Sequence, residues 1–423
     1  MHFGIFCVKF LLHIQVKLLP ILLIKLTFTK ENRYKMNIHS IRKDTKGLSD
    51  KIFLNSAGSS LMPEVVVKTM IDYLQQEEIY GGYETANRNA ELISGFYEET
   101  AKLINAKASN MAFTSSATDA YVKALSSISF TEGDCIITTN DDYVSNQIAF
   151  ISLQKKYKID IIRLKNLADH ELDLEDLENI IQKRNPKLVA VTHIPTNSGL
   201  IQNVEGVGKI CRKYDVLYLV DACQSVGQMV VDVEKIGCDF LTATGRKFLR
   251  GPRGTGFLYV SDRAIAQNLA PLFLDMSGAV WTGFNEYELI KTAKRFELWE
   301  NSYAALLGFT EAVKYANNIG LSAIENYNQK LSGKLRNELQ NKGFRVLDEG
   351  NNLSSIITFC TQDGHIESIQ NVLKEHNVYF SVSPKNGALI DFTHKNVDGV
   401  IRFSPHYFNT SEEIEAVLEI LPE

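Results

Sequence analysis

Cysteine is sparse and scattered in this chain: Cys7, Cys135, Cys211, Cys223, Cys238 and Cys360 form no CxxC and no His/Cys cluster. That spacing excludes a disulfide scaffold and a zinc site, leaves no metal centre to expect, and fits a reducing, cytoplasmic setting. Proline is scarce as well, 9 in 423 residues, with no repeat and no low-complexity tract. Charge of one sign is lacking too. Forty-five Lys and Arg against 50 Asp and Glu leave a formal net charge of -5, which gives no reason to expect nucleic acid or an anionic membrane as partner.

A long uninterrupted apolar run is also missing. Phe10 to Phe28 is strongly apolar, but His13, Lys17, Lys25 and the helix-breaking Pro20 interrupt it. A membrane span needs ~20 apolar residues with few charges, and no small-residue cleavage site follows the stretch. Residues 1–35 are therefore expected to be a dispensable, unstructured extension upstream of a second start at Met36, with no stable membrane insertion. A peripheral membrane anchor is the less favoured reading.

What is present is an alternation. Short β-rich runs at Met111–Phe113, Cys135–Thr138, Asp160–Leu164, Leu188–Thr192, Val216–Asp221 and Phe240–Ala243 flank stretches with apolar residues at helical spacing. These stretches are Asp119–Ser127, Val144–Lys155, Leu174–Arg184 and Val204–Lys213. Such a pattern predicts βαβ units and a mostly parallel sheet with helices on both faces. Thr255–Val260, after a Gly/Pro-rich turn, adds an antiparallel strand. Past residue 305 the pattern changes to two long helices, Ala304–Asn318 and Ser322–Lys342. Short strands follow at Ser355–Phe359 and Val400–Ser404, then a capping box at Thr410–Glu413. A chain of this length exceeds one core. It divides into a large α/β domain over residues 63–305 and a smaller α+β domain built from 36–62 and 306–423.

Ligands of open parallel sheets bind beyond the carboxyl ends of the strands, and there this chain concentrates polar groups. One strand ends in Asp221-Ala-Cys-Gln224, another in Thr244-Gly-Arg-Lys247, a third in His193-Ile-Pro-Thr-Asn-Ser-Gly199. Met111–Phe113 runs into Thr114-Ser-Ser-Ala-Thr118. A lysine after one buried strand and an aspartate after another are what a pyridoxal 5'-phosphate site requires. The amine forms an imine with the cofactor aldehyde and later shuttles a proton, and the carboxylate keeps the pyridine nitrogen protonated. Ser115, Ser116 and Thr118, at a helix start, offer hydroxyls, N–H groups and a favourable dipole to a phosphate.

Asp221-x-x-Gln224, then Thr-Gly-Arg-Lys247, then Gly251-Pro-x-Gly254-x-Gly256 resembles the class V aminotransferase family. That family holds cysteine desulfurases, selenocysteine lyases, C–S lyases and isopenicillin-N-epimerase-like proteins. The resemblance runs from about residue 50 to about 420 and implies a fold-type-I enzyme of the α/β class, acting as a homodimer on a small amino-acid substrate through an external aldimine. Carried over, it makes Lys247 the Schiff-base lysine, with Asp221 on the pyridine nitrogen and Gln224 on the ring hydroxyl. Ala117, Thr118, Thr244 and Arg246 go to the phosphate, where relatives often have Ser-x-His-Lys in place of Thr244-Gly-Arg-Lys247. Tyr143 stands where desulfurases stack a histidine on the ring, and Arg402 matches the arginine that clamps the substrate carboxylate. Thr196 or Asn197 takes the position of an asparagine near the cofactor hydroxyl, with both left open. His193 reads as a core or supporting histidine. Tyr80, Tyr83 and Arg88 read equally as an entrance lining or a glycine-hinged loop.

Two departures bear on the reaction. Desulfurases carry a persulfide cysteine shortly before the clamping arginine, yet residues 361–402 contain no cysteine, and Cys360 reads as core. Cys223 is the thiol nearest the chemistry, and strand-end geometry is expected to turn it towards the sheet. The second departure is Leu298-Trp-Glu300 where desulfurases have small residues, with Trp299 expected in the core rather than closing the pocket. Together these favour β-elimination of a sulfur leaving group without a protein persulfide. Amino transfer or epimerisation is the alternative, and a non-catalytic cofactor-binding protein is the rival from another class.

Overall fold

The computed structural model describes residues 36–422, so the expectation for residues 1–35 lies outside it. Residues 38–423 form a single compact unit by their contacts. The large sheet has seven strands: β1 (Met111–Thr114), β2 (Cys135–Thr138), β3 (Asp160–Arg163), β4 (Leu188–Thr192), β5 (Leu217–Asp221), β6 (Phe240–Thr244) and β7 (Gly256–Val260). Their order across the sheet is β1-β7-β6-β5-β4-β2-β3. All neighbouring pairs from β6 to β3 run parallel, while β7 runs antiparallel to both β6 and β1. The continuous apolar runs Leu-Val-Ala-Val and Leu-Tyr-Leu-Val of β4 and β5 explain this. Strands covered on both faces have no solvent side to alternate towards.

Helices α1 (Glu64–Tyr80), α2 (Ala90–Leu103), α3 (Ala117–Ser126), α4 (Val144–Tyr157), α5 (Leu174–Arg184) and α6 (Val204–Lys213) belong to this part of the chain. Three of them, α3, α5 and α6, open on side-chain caps: Ser116 accepts Asp119 N–H, Asp173 accepts Asp176 N–H and Asn203 accepts Gly206 N–H. A hairpin of β8 (Ala279–Gly283) and β9 (Glu286–Leu289) follows, then α7 (Tyr303–Ile319) and α8 (Leu321–Asn341).

A second sheet of four strands has β10 (Arg345–Val346), β11 (Ile357–Cys360), β12 (Ser381–Pro384) and β13 (Gly399–Phe403) in the order β10-β11-β13-β12, all antiparallel. Its core includes Leu54, Leu335, Leu339, Ile357, Phe359, Ile401 and Phe403. Ile52–Phe53 pairs in parallel with Val378–Tyr379 as a separate two-stranded sheet, and Asn55 bridges in parallel to Ser404 just past β13, so the segment before α1 is tied to this part of the chain. The last helix, α9 (Ser411–Ile420), opens with the full Thr410/Glu413 capping box. Among the described residues, no helix is long and apolar enough to cross a membrane, and no His/Cys/Asp/Glu group could hold a metal.

Candidate active site

The carboxyl ends of β4, β5 and β6 bring Thr192, Asp221 and Thr244 to one edge of the sheet, with Thr192 paired to Asp221 in register. Lys247 lies in the turn after β6 and is only 5 % exposed. That turn is pinned on both sides. Arg246 carbonyl accepts Ser60 N–H at 2.7 Å, and Lys247 carbonyl accepts Arg250 N–H at 2.9 Å. Arg250 is fully buried and holds a left-handed backbone with φ 61°, a conformation that costs energy for a side chain of its size. Its guanidinium donates to Leu61 carbonyl and Thr45 Oγ1 at 2.8 and 2.6 Å, over the rings of Tyr407 and Phe408. The lysine turn is thereby tied to the segment before α1.

Burial pushes the Lys247 ammonium below its ordinary pKa; Cys223 and Asp221 oppose the shift, and the Arg246 and Arg402 charges add to it. The Tyr143 ring, at the N-cap of α4, has its centroid 5.8 Å from Lys247 Nζ. Asp221 accepts Cys223 N–H at 2.9 Å and Asn146 Nδ2 at 3.0 Å. Gln224 Nε2 donates to Ala57 carbonyl and to Thr196 Oγ1, both at 3.2 Å. Arg402, on β13 and 4 % exposed, donates to Thr196 carbonyl at 3.1 Å. Thr196 thus joins Gln224 to Arg402, whereas Asn197 donates away from them to Gly387 carbonyl at 3.0 Å.

At the other end of the site, α3 begins at Ala117. The N–H groups of Ala117 and Thr118 have no acceptor within their own helix. Ser115 and Ser116 are both engaged with Asp119: Ser115 donates to its carboxylate, and Ser116 Oγ accepts its N–H. β7 comes so close to this helix start that a Cβ on Gly256 would lie 2.8 Å from Ser116 C and 3.0 Å from Ala117 N. Thr244 hydroxyl donates to Thr255 carbonyl at 3.1 Å and accepts Arg246 Nη1 at 3.2 Å, which aims the guanidinium.

Whether these residues suit pyridoxal phosphate can be judged from what they leave unpaired. Among the described residues Lys247, Arg246 and Arg402 form no ion pair, and Arg246 Nε, Arg402 Nε and Gln224 Oε1 are buried without a partner. Two guanidinium groups, each with a buried, unpaired Nε, and free N–H groups call for anions. A phosphate beside Arg246 and the start of α3, and a carboxylate at Arg402, would supply them. The donor set fits the cofactor and an amino acid.

Two expectations are corrected. The Cys223 thiol does not turn away from the site: it interacts with Lys247, and burial raises its pKa to about 11. The chain leaves β5 with Ala222 N–H still bonded to Thr242 carbonyl and then turns, with Cys223 N–H donating to the Asp221 carboxylate. Trp299 is 51 % exposed and not in the core; the fully buried neighbours are Arg295 and Phe296, with Arg295 donating to the carbonyls of Ile290, Ile265 and Leu269. His193 is buried, with desolvation pulling its pKa down to about 4, so its ring is neutral. Tyr80 ends α1, Gly81 breaks the helix with φ 84°, and Gly82–Arg88 form a separate short helix, so the stretch is hinged at a glycine between two helices, with the Arg88 guanidinium 3.7 Å from the Tyr80 ring centroid. The residues that sequence reading missed are Asp142, Asn146 and Thr192, which support Asp221 from behind. Asp142 and Asn146 read in the sequence as ordinary polar residues at a helix start.

A family model described as "Aminotransferase class-V" matches residues 52–417. A "Probable cysteine desulfurase" of Methanothermobacter thermautotrophicus is 29% identical over 395 residues, covering 92% of this chain and 98% of the relative. One of Pyrococcus abyssi is 29% identical over 398 residues, covering 90% and 96%. The solved apo cysteine desulfurase of Thermococcus onnurineus superposes with a TM-score of 0.83 at 26% identity, over 92% of this chain and 98% of that one. A cystine C–S lyase in complex with its product cysteine persulfide has a TM-score of 0.78 at 20% identity, over 89% and 98%, a likeness of fold.

Proposed function

The chain belongs to the class V aminotransferase family of pyridoxal 5'-phosphate enzymes, and from that premise we propose that it eliminates sulfur from a cysteine-like amino acid without storing it on a cysteine of its own. The relatives named as cysteine desulfurases point to the substrate class. The observation that carries the second half is where the thiols lie. Cys135, Cys211, Cys238 and Cys360 are buried, and burial raises the pKa of each. A protonated, enclosed thiol is a poor sulfur acceptor. β12, which runs alongside the Arg402 strand, and the loop after it contain no cysteine at all.

Bound here, the cofactor supplies an aldehyde for amines and a ring that accepts electrons when a bond to Cα breaks. Lys247 holds the cofactor aldehyde, and its depressed pKa favours the neutral amine needed to take the Cα proton. Asp221 would keep the ring nitrogen protonated, Gln224 and Thr196 would serve the ring hydroxyl, and Tyr143 would lie against the ring. Arg246 with the N–H groups of Ala117 and Thr118 holds the phosphate, with Thr244 orienting Arg246. Arg402 takes the substrate α-carboxylate in bidentate fashion. Lys247 would take the Cα proton, the Cβ–S bond would break with its electrons leaving on sulfur as hydrosulfide, and water would hydrolyse the remaining enamine to pyruvate and ammonia. We read the active form as a homodimer, because the β8–β9 hairpin leaves Trp281 and Phe284 exposed at 77 and 99 %.

One observation favours a second reading: Cys223 touches Lys247 and is the thiol best placed to intercept sulfur. Turnover with cysteine, followed by quantitation of pyruvate and sulfide and mass spectrometry of the intact protein, separates the two. Sulfide equal to pyruvate with unmodified protein is expected, and Cys223→Ala should stay within about threefold of wild type. A persulfide on Cys223, with activity lost in Cys223→Ala, would overturn the proposal.

A further inference from the structure

Asp221 is half of a carboxylate pair. Its Oδ2 accepts Asn146 Nδ2 at 3.0 Å, and the same nitrogen reaches Asp142 Oδ1, also at 3.0 Å. An amide nitrogen carries two hydrogens, so this one side chain divides its donors between two carboxylates. Asp142 Oδ1 further accepts the Thr192 hydroxyl and, at 2.6 Å, Tyr143 N–H. Its Oδ2 accepts Gln147 Nε2 at 2.7 Å and Thr138 Oγ1 at 3.1 Å. Gln147 is itself held through its carbonyl by Arg163 at 2.8 Å.

The elements involved explain how the pair is assembled. Thr138 ends β2, Thr192 ends β4 and Asp221 ends β5, three neighbouring strand ends of the parallel sheet. Asp142 lies just before α4 and Asn146 in its first turn, on the same stretch as Tyr143. Capping the helix would need only one acceptor. Keeping a second buried carboxylate beside Asp221 is instead costly: burial and the Asp221 charge both push the Asp142 pKa up, against the Thr192, Asn146 and Gln147 hydrogen bonds that pull it down. Five converging donors maintain a charge that the helix alone does not require.

We infer that Asp142 and Asn146 are positioning residues for Asp221: the Asn146 amide fixes the orientation of the Asp221 carboxylate, and the Asp142 charge behind it strengthens the field that holds a proton on the cofactor's pyridine nitrogen. The inference rests on Asp221 being the partner of that nitrogen. It also gives the Asp142–Tyr143–Asn146 stretch a single purpose, since one helix start then carries the ring-covering side chain and the support for the ring's electron sink. Electrostatic support of this kind acts strongly because the pair is enclosed, where charges are screened less than in water.

The test is made on holoenzyme reconstituted with cofactor labelled with 15N in the ring, reading the ring-nitrogen resonance, the thermal midpoint, and kcat and KM for the amino acid turned over. Asp142→Asn preserves shape and removes the charge, Asp142→Glu preserves the charge, and Asn146→Ala breaks the bridge while leaving the other four donors to Asp142. Asp142→Asn and Asn146→Ala should retain cofactor, shift the resonance towards the unprotonated value, and lower kcat about tenfold or more with KM within about twofold. Asp142→Glu should stay nearer wild type in both resonance and kcat. Asp221→Asn sets the limit for loss of the ring proton. If Asp221→Asn moves the resonance and neither Asp142→Asn nor Asn146→Ala does, the pair is structural and the inference fails. If Asp221→Asn itself leaves the resonance in place, the reading of Asp221 fails and takes the inference with it.

Discussion

Lys247, to which we assign the reaction's amine, sits in a place hostile to its charge. Burial and the flanking Arg246 and Arg402 lower its pKa from the ordinary 10.5, and Cys223 and Asp221 offset only part of this. The folded, cofactor-free protein therefore binds fewer protons at Lys247 than the unfolded chain does, between the depressed folded pKa and 10.5. In that window stability rises with pH; below the folded pKa the full penalty for burying an ammonium is present. Lys247→Met keeps the length of the side chain and discards the charge. Cofactor-free Lys247→Met should be more stable than cofactor-free wild type at pH 7, by about 1 kcal/mol, and the advantage should shrink as pH approaches 10.5. Urea midpoints of both proteins at pH 7 and pH 10 check this. An advantage that stays constant across that range would mean that packing, not charge, sets the difference.

At the scale of elements, the strands and most helices of the large sheet were legible because each carries its own local signal. β2 and β4 run over the residues expected, and so do α5 and α6, each closed by its cap or its change of apolar pattern. That Lys247, Asp221 and Gln224 would come together was legible for another reason: they follow strand ends, where a parallel sheet converges its polar groups. The turn of Cys223 towards Lys247 was not legible, since it depends on how the chain leaves β5. Nor was the Asp142–Asn146–Asp221 bridge, which is made by residues 75 apart in sequence. Gly256 joins both kinds. Its place in a glycine-rich run was visible, but the reason lies in the packing, because β7 passes within contact of the start of α3. Gly256→Ala would set a methyl 2.6 Å from Ala243 carbonyl and 2.8 Å from Ser116 C, both rigid backbone. A cost of about 1–3 kcal/mol is expected. Because α3 must shift away, cofactor retention on dialysis should fall by more than the loss of stability alone accounts for. Full retention with a lowered thermal midpoint would show that the start of α3 does not hold the phosphate.

At the scale of the whole molecule, the described residues include a surface that the fold of a single chain does not explain. The β8–β9 hairpin is two-stranded and belongs to neither larger sheet. An isolated hairpin is marginal in water, yet Trp281, Phe284 and Tyr287 on it are 77, 99 and 59 % exposed, and Phe273 and Met276 before it are 84 and 69 % exposed. Single exposed apolar residues need no explanation, whereas a run of large ones on an outlying element marks a contact surface. The segment is also joined to the site: Asp275 accepts Trp299 N–H at 2.9 Å, and Glu297, two residues earlier, accepts Phe113 N–H at 2.8 Å on β1, which leads into the start of α3. A second copy of the chain covering the hairpin would therefore bury apolar area and steady the end of the site assigned to the phosphate. Replacing both Trp281 and Phe284 with Ser removes the two most exposed rings of the hairpin without touching any residue assigned to the cofactor. The double variant should sediment as a monomer at concentrations where wild type is a dimer, and it should lose cofactor more readily on dilution. A variant that remains dimeric, or a monomer that keeps its cofactor as tightly as wild type, would mean that the hairpin serves some other contact and that each chain completes its site alone.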